Sequence, residues 1–178
     1  TTTQLAASDA TRVYGQPVTF TATVTNSSTP AVPSGAVTFM DGATALGTVD
    51  LASDGTAAFS TSLLDGGSHP VTAVYAGTAD FGGSTSPPVT VSVTPALTAL
   101  TLTNSAPGGT VPFGTPVNFT ATVTNISGTG VIPVGTVQFY DGTRLLDTET
   151  VDPATGIAVF ASGSQGKPQL HKGTQTIV

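Results

Sequence analysis

Acid–base chemistry in this chain would fall to two imidazoles or to a carboxylate, since His69 and His171 are its only histidines and it has no cysteine. A nucleophile with its base needs a basic side chain held within hydrogen-bond reach. His69 precedes Pro70 at what reads as a strand start, and His171 stands beside Lys172 in a turn. No Gly-x-Ser-x-Gly elbow, His-Glu-x-x-His pair or glycine-rich phosphate loop occurs. Both histidines therefore read as structural or incidental, and no catalytic residue is assigned.

The carboxylates offer metal chemistry as an alternative. Asp41, Asp54, Asp65, Asp141 and Asp152 lie at turns or beside them. Calcium takes six to eight convergent oxygens, whereas these acids are single and widely separated, with no Asp-x-Asp-x-Asp-Gly loop. Turn chemistry is the better reading, with convergence of Asp9 and Asp80 on other groups left open. No metal and no cofactor is expected. Three Asn-x-Ser/Thr sequences begin at Asn26, Asn118 and Asn125. They are glycosylation acceptors or a chance outcome of a Ser/Thr-rich chain.

Net charge is −6, and Arg12, Arg144, Lys167 and Lys172 are the only Lys or Arg residues. Nucleic acid demands clustered cations to replace its counterions, so it is excluded as a partner class. Anionic membrane surfaces are disfavoured for the same reason. No apolar run approaches the roughly 18 residues of a spanning helix, so no membrane insertion is expected. Scarce Lys, abundant Thr and absent Cys suit a mature secreted bacterial chain, and Thr1 in place of Met predicts a processed or internal start.

The elements that must carry these residues are organised around a repeated stretch. Tyr14-Gly15-Gln16-Pro17-Val18-Thr19-Phe20-Thr21-Ala22-Thr23-Val24-Thr25-Asn26 returns as Phe113-Gly114-Thr115-Pro116-Val117-Asn118-Phe119-Thr120-Ala121-Thr122-Val123-Thr124-Asn125. Apolar residues alternate with Thr or Asn, the period of a strand with one buried face. Around it, strands are expected at residues 1–7, 17–26, 35–40, 45–49, 56–63, 69–75 and 87–93, with residues 8–12 as a turn. Asp41-Gly42, Asp54-Gly55 and Asp65-Gly66-Gly67 punctuate them. About seven short strands with such turns predict a β-sandwich. The second copy repeats the order at residues 97–103, 116–125, 135–142, 145–146 and 156–160. An insertion, residues 163–168, then precedes residues 173–178, which align with 67–72.

These motifs resemble the signature of bacterial Ig-like repeat domains, the tandem modules of secreted and surface proteins. The resemblance rests on the repeated stretch, on Gly35-x-Val37-x-Phe39-x-Asp41-Gly42, and on Gly67-Ser68-His69-x-Val71-x-Ala73-x-Tyr75-x-Gly77. It implies an all-β chain of two tandem Ig-like β-sandwiches of about seven antiparallel strands each, at residues 1–95 and 96–178. It also implies a structural role for His69, a position filled by Gln175 in the second copy, and non-enzymatic work as spacer, adhesin stalk or accessory module.

The second copy has no counterpart to Ala73-Val74-Tyr75, to Asp80-Phe81 or to the closing strand at residues 87–93. A sandwich short of its final strand exposes backbone donors and acceptors along an edge. Two readings compete: a stretch of a longer tandem array, or donor-strand complementation between subunits. In the second, Thr1, Thr2, Thr3, Gln4, Leu5, Ala6 and Ala7 would donate a strand to an edge formed by Gly173, Thr174, Gln175, Thr176, Ile177 and Val178. Such a contact does not close on itself and yields a filament. The same seven residues also read as the first strand of their own unit. The joint, residues 91–97, is short and restrained by Pro95, which predicts a semi-rigid rod. Expected partners are other copies or neighbouring Ig-like domains, with a glycan or a host or cell-surface protein if the loops bind. An accessory domain of a secreted enzyme is the remaining alternative.

Overall fold

Val18, Phe20, Ala22 and Val24 turn inward along one strand and are almost completely buried, while the Thr residues between them are less so. That strand lies at the centre of the first of two units, Thr1–Ala96 and Leu97–Val178. The structure is a computed structural model that describes residues 1–28, 30–164 and 166–178.

In the first unit the chain runs β1 (Thr2–Ala7), β2 (Thr11–Val13), β3 (Val18–Thr25), β4 (Ala36–Asp41) and β5 (Thr44–Asp50). It continues through β6 (Thr56–Thr61), β7 (Gly67–Gly77), β8 (Gly82–Thr85) and β9 (Val89–Thr94). One sheet has the order β1-β3-β6. The other has the order β2-β9-β7-β4-β5, with β8 also paired to β7. Their inner faces meet in one core, where Phe20 and Phe39 have no exposed surface and Tyr75 donates its hydroxyl to Ser34 O at 2.7 Å. Each such buried side chain contributes about 1.5–3 kcal/mol relative to exposure.

The second unit holds β10 (Thr98–Asn104), β11 (Asn118–Asn125), β12 (Thr136–Asp141), β13 (Arg144–Thr150) and β14 (Ile157–Ala161). One sheet, β10-β11-β14, reproduces β1-β3-β6. The other is a single hairpin, β12-β13. That hairpin copies β4-β5 closely, including a register shift at Phe139/Tyr140 that matches the one at Phe39/Met40. Both hairpins turn through Asp-Gly, with Gly42 at φ 54° and Gly142 at φ 58°. This left-handed geometry suits glycine, which has no Cβ to clash.

The structure departs from the sequence-based expectation at three places. Residues 11–13, the first two of which fall in the turn expected at residues 8–12, form β2, which pairs in parallel with β9 rather than antiparallel. Residues 82–85, to which the sequence assigned no strand, form β8 and cover β1. Their pattern, Gly82-Gly83-Ser84-Thr85, carries no apolar alternation to announce a strand. Residues 173–178 form an isolated bridge, Asp141 with Ile177, instead of a continuous strand. Among the described residues a strand neighbours that segment on one side only.

Candidate functional site

The bridge at Ile177 fixes the place of the last segment. Tyr140 N donates to Val178 O at 2.9 Å, Val178 N donates back to Tyr140 O at 3.1 Å, and Gly142 N donates to Thr176 O at 3.1 Å. In the first unit Asp41 pairs with Val71, Met40 with Thr72, and Gly42 N donates to Pro70 O. Residues 173–178 therefore occupy the place of the first half of β7. Leu170, partly buried against the second core, takes the role of Leu64 in the first.

Side chains repeat the correspondence. His69 binds Asp41 Oδ2 through Nδ1 at 2.7 Å and the Asp65 carbonyl through Nε2 at 2.8 Å. In the second unit the carboxamide nitrogen of Gln175, turned toward Asp141, donates to both of its carboxylate oxygens, Oδ1 at 3.0 Å. Each is a clasp between the start of the β7 position and the end of the preceding hairpin strand. Only the first contains an imidazole. Burial opposes the charged imidazole, but hydrogen bonds to Asp41 and to the Asp65 backbone, with the charges of Asp41 and Asp65, outweigh it and raise the His69 pKa above 6.5.

A raised folded-state pKa stabilises the fold fully below the unfolded value, and that contribution is lost as pH rises through the folded value. The first unit is thus expected to lose stability as pH climbs from below 6.5 through the raised His69 pKa. His69→Gln, which installs the residue used in the second unit, is expected to keep the clasp and flatten this dependence. Urea midpoints on either side of that window check it; an unchanged pH dependence in the variant would assign the effect to other groups.

The insertion has its own fastening. Lys167 donates to Asp147, and to Glu149 Oε1 at 2.6 Å, tying the inserted loop to β13. The Lys167 hydrogen bond lowers the Asp147 pKa and the same contact raises that of Lys167. Arg144 lies 2.7 Å from His171 Nε2. The sequence assigned no partner to either cation, because the residues of each cluster lie far apart along the chain.

Among the described residues no strand pairs with the other side of residues 173–178. In the first unit β9 fills the corresponding place, running antiparallel to β7 and parallel to β2. The second unit has no counterpart of β9 among the described residues. Residues 110–112, which align with β2, take no strand conformation. Phe113 is 69% exposed, whereas its counterpart Tyr14 packs on the first core. A cavity of about 580 Å³ remains, bounded by residues 109–115 on one side and 169–177 on the other, with Val117 and Phe119 at its floor. The loss extends to the neighbouring sheet. Thr3 is 2% exposed and bonds Ser84 Oγ at 2.7 Å under β8, while Leu100, opposite the equivalent valine of β11, is 56% exposed.

The other candidate residues have local partners. Thr2–Ala7 is paired along β3 from Thr2↔Thr25 to Ala7↔Phe20, and Thr1 Oγ1 donates to Gly82 O at 2.6 Å. Asp54 caps its turn by accepting from Thr56 N and Oγ1, and the Thr56 side-chain hydrogen bond lowers its pKa. Asp152 accepts from Ala154 N and Thr155 N. Asn125 donates to Thr129 Oγ1 and Val131 O, so its carboxamide serves the loop. Among the described residues no group of three His, Asp or Glu converges where a metal ion could sit. Among them too, no helix is long and apolar enough to cross a membrane.

No curated protein matches the chain. Solved structures give distant likenesses. The fibronectin(III)-like modules of Clostridium thermocellum CbhA share 18% identity over 90% of this chain and 79% of theirs, with a TM-score of 0.39. The Yersinia pseudotuberculosis adhesin InvE shares 19% over 90% of this chain, with a TM-score of 0.47, and the match spans 51% of that protein's chain. The three N-terminal domains of the outer capsid protein Hoc of bacteriophage RB49 share 17% over 91% of this chain and 55% of theirs, with a TM-score of 0.36. The family described as bacterial Ig-like domain (group 3) matches residues 5–94 and again residues 102–178. With one match on each unit, the chain belongs to the bacterial Ig-like domain (group 3) family.

Proposed function

We propose that this chain is a non-enzymatic structural module of a bacterial surface or extracellular protein, in which tandem Ig-like sandwiches act as a rod-like spacer or adhesin stalk. The observation that carries the reading is the tandem repetition of one family domain, each copy built on the same central strand and the same Asp-Gly hairpin. Side chains with chemical potential are engaged in holding that scaffold together, as His69 is with Asp41. The natural partners are other copies or neighbouring Ig-like domains, joined where the second sheet of the second unit is open.

Head-to-tail assembly is the form this joining takes in a polymer: an extended segment of one subunit adds to the open edge of the next. Donation of residues 1–7 requires β1 to leave β3 in its own unit, so it is an exchange rather than a simple addition. Negative-stain microscopy of the chain with and without residues 1–7 tests this. Fibres that vanish on truncation support exchange; monomers in both samples remove polymerisation from the proposal. The surface reading has a separate check. Antibody against the chain is expected to label intact cells of the source bacterium or their extracellular filaments, and labelling confined to permeabilised cells would sink it.

A further inference from the structure

We propose that β14 is a self-pairing edge, and that its occupant is β14 of a second copy of this chain, laid antiparallel so that the two copies of Val159 meet. The inference goes beyond the reading above: it concerns association side by side and needs no exchange of residues 1–7.

The edge belongs to the domain itself. In the first unit β6 takes the last place in β1-β3-β6, and among the described residues none of the strands that follow it, β7 to β9, joins that sheet. β14 takes the same place in β10-β11-β14. Val123 N donates to Gly156 O at 2.8 Å and Ser162 N donates to Val117 O at 3.0 Å, at the two ends of the β11–β14 ladder. Backbone groups alternate sides along a strand, so Ala158 and Phe160 turn theirs toward β11, while Ile157, Val159 and Ala161 turn theirs away. Ile157 O accepts from Asp152 N at 2.8 Å, and Ala161 O accepts from Ser164 Oγ at 3.0 Å. Among the described residues no group bonds the N–H or C=O of Val159 on that side.

Side chains and charge both favour a second copy. Where β6 presents Thr56, Ala58 and Ser60 outward, β14 presents Ile157, Val159 and Ala161, with Val159 44% exposed. Residues 153–164 hold no charged side chain in a chain of net charge −6, so two copies align here without opposing like charges. By contrast β13, the last strand of its hairpin sheet, carries Arg144, Asp147 and Glu149, the kind of side chain that keeps an exposed edge from pairing. With a two-fold axis beside Val159, its N–H donates to the C=O of Val159 of the partner subunit, and Ile157 lies opposite Ala161 of the partner subunit. Only apolar pairs then meet on the outer face, and two three-stranded sheets become one of six strands. The contact closes on itself, so it yields a dimer rather than a filament. An edge of five residues buries little surface, which places the dimer at the weak, reversible end of protein association.

The test is sedimentation of the whole chain from dilute to millimolar concentration, with residue-resolved amide exchange on the same samples. A monomer–dimer equilibrium is expected, with exchange at Val159 slowing as concentration rises while Ala158 and Phe160 stay protected throughout by β11. Val159→Lys and Val159→Glu each set like charges across the axis and are expected to weaken dimerisation at least about tenfold. Mixing the two variants is expected to restore the dimer, because Lys then faces Glu. Ala58→Lys, at the aligned position of β6, is expected to leave association unchanged. Protection of β11 shows that each variant is folded, and the concentration dependence at Val159 in the unaltered chain stands without any variant. A chain that stays monomeric, with fast exchange at Val159 at every concentration, overturns the proposal. So does association that survives Val159→Lys, or a mixture of the two charged variants that fails to pair, since either assigns the contact to another surface.

Discussion

Replacing Phe39 with alanine is expected to destabilise the first unit by about 3–5 kcal/mol, the range for removing a buried aromatic ring. Phe39 has no exposed surface and stacks on Phe59 with centroids 5.5 Å apart. It sits on β4 between β5 and β7, with Gly47 and Ala73 opposite it in the ladders. Strands on both sides prevent collapse, so the cavity persists and the cost stays near the top of the range. Phe139→Ala removes the equivalent ring, which packs on Phe160 at 5.7 Å. Its β12 has a full strand on one side only, and the site can relax into open space, so a smaller loss is expected. Small domains hold about 5–15 kcal/mol in total, which makes either change visible. Urea denaturation is expected to show two transitions, the second unit melting first. Phe39→Ala should move the upper transition and spare the lower. A single transition shifted equally by both variants would show that the units unfold together, contrary to this expectation.

Gly77→Val is expected to cost about 2–5 kcal/mol, combining a left-handed backbone penalty with overpacking. Gly77 has φ 87°, and a Cβ there would stand 2.5 Å from Phe81 O and 2.7 Å from Gly83 N. Both contacts are backbone atoms, Phe81 O in the turn that joins β7 to β8 and Gly83 N in β8 itself, and Thr78 N donates to Phe81 O across that turn at 2.8 Å. Relief requires the turn to open and β8 to lift from β7. Ser84 would then release Thr1 and Thr3, exposing β1 along the side it covers. Gly42→Val is the control. Gly42 shares a positive φ, 54°, but a Cβ at that position would meet no atom within 4 Å, so the substitution bears only the conformational cost. Hydrogen exchange should quicken across β8 and β1 in the Gly77 variant alone. Equal losses in the two variants would show that close approach at Gly77 is unimportant.

Much of the scaffold was legible because it is written in local alternation. Val18, Phe20, Ala22 and Val24 announce both a strand and its buried face, and Asp41-Gly42 announces the turn that follows β4. The aligned pairs Asp41/Val71 and Asp141/Ile177 show the same logic reaching across the insertion, since residues 173–178 take the place the alignment gave them. The substitution of Gln175 for His69 could be seen in the sequence, but its meaning could not. That both reach the carboxylate of the aligned aspartate depends on packing between segments far apart in the chain.

What the sequence determined by itself was the repeated strand, the all-β class, the tandem family domains, and the place in the second copy where counterparts cease. These follow from side-chain period, turn residues and self-alignment, all of which act within a few residues. Tertiary structure alone decided that residues 11–13 run parallel to β9, that Gly82–Thr85 shields β1, and that Lys167 clamps the insertion to Asp147 and Glu149. The physical reason is that a strand's partner and direction are set by non-local hydrogen bonding and burial, and no local pattern in Thr11–Val13 or Gly82–Thr85 encodes them.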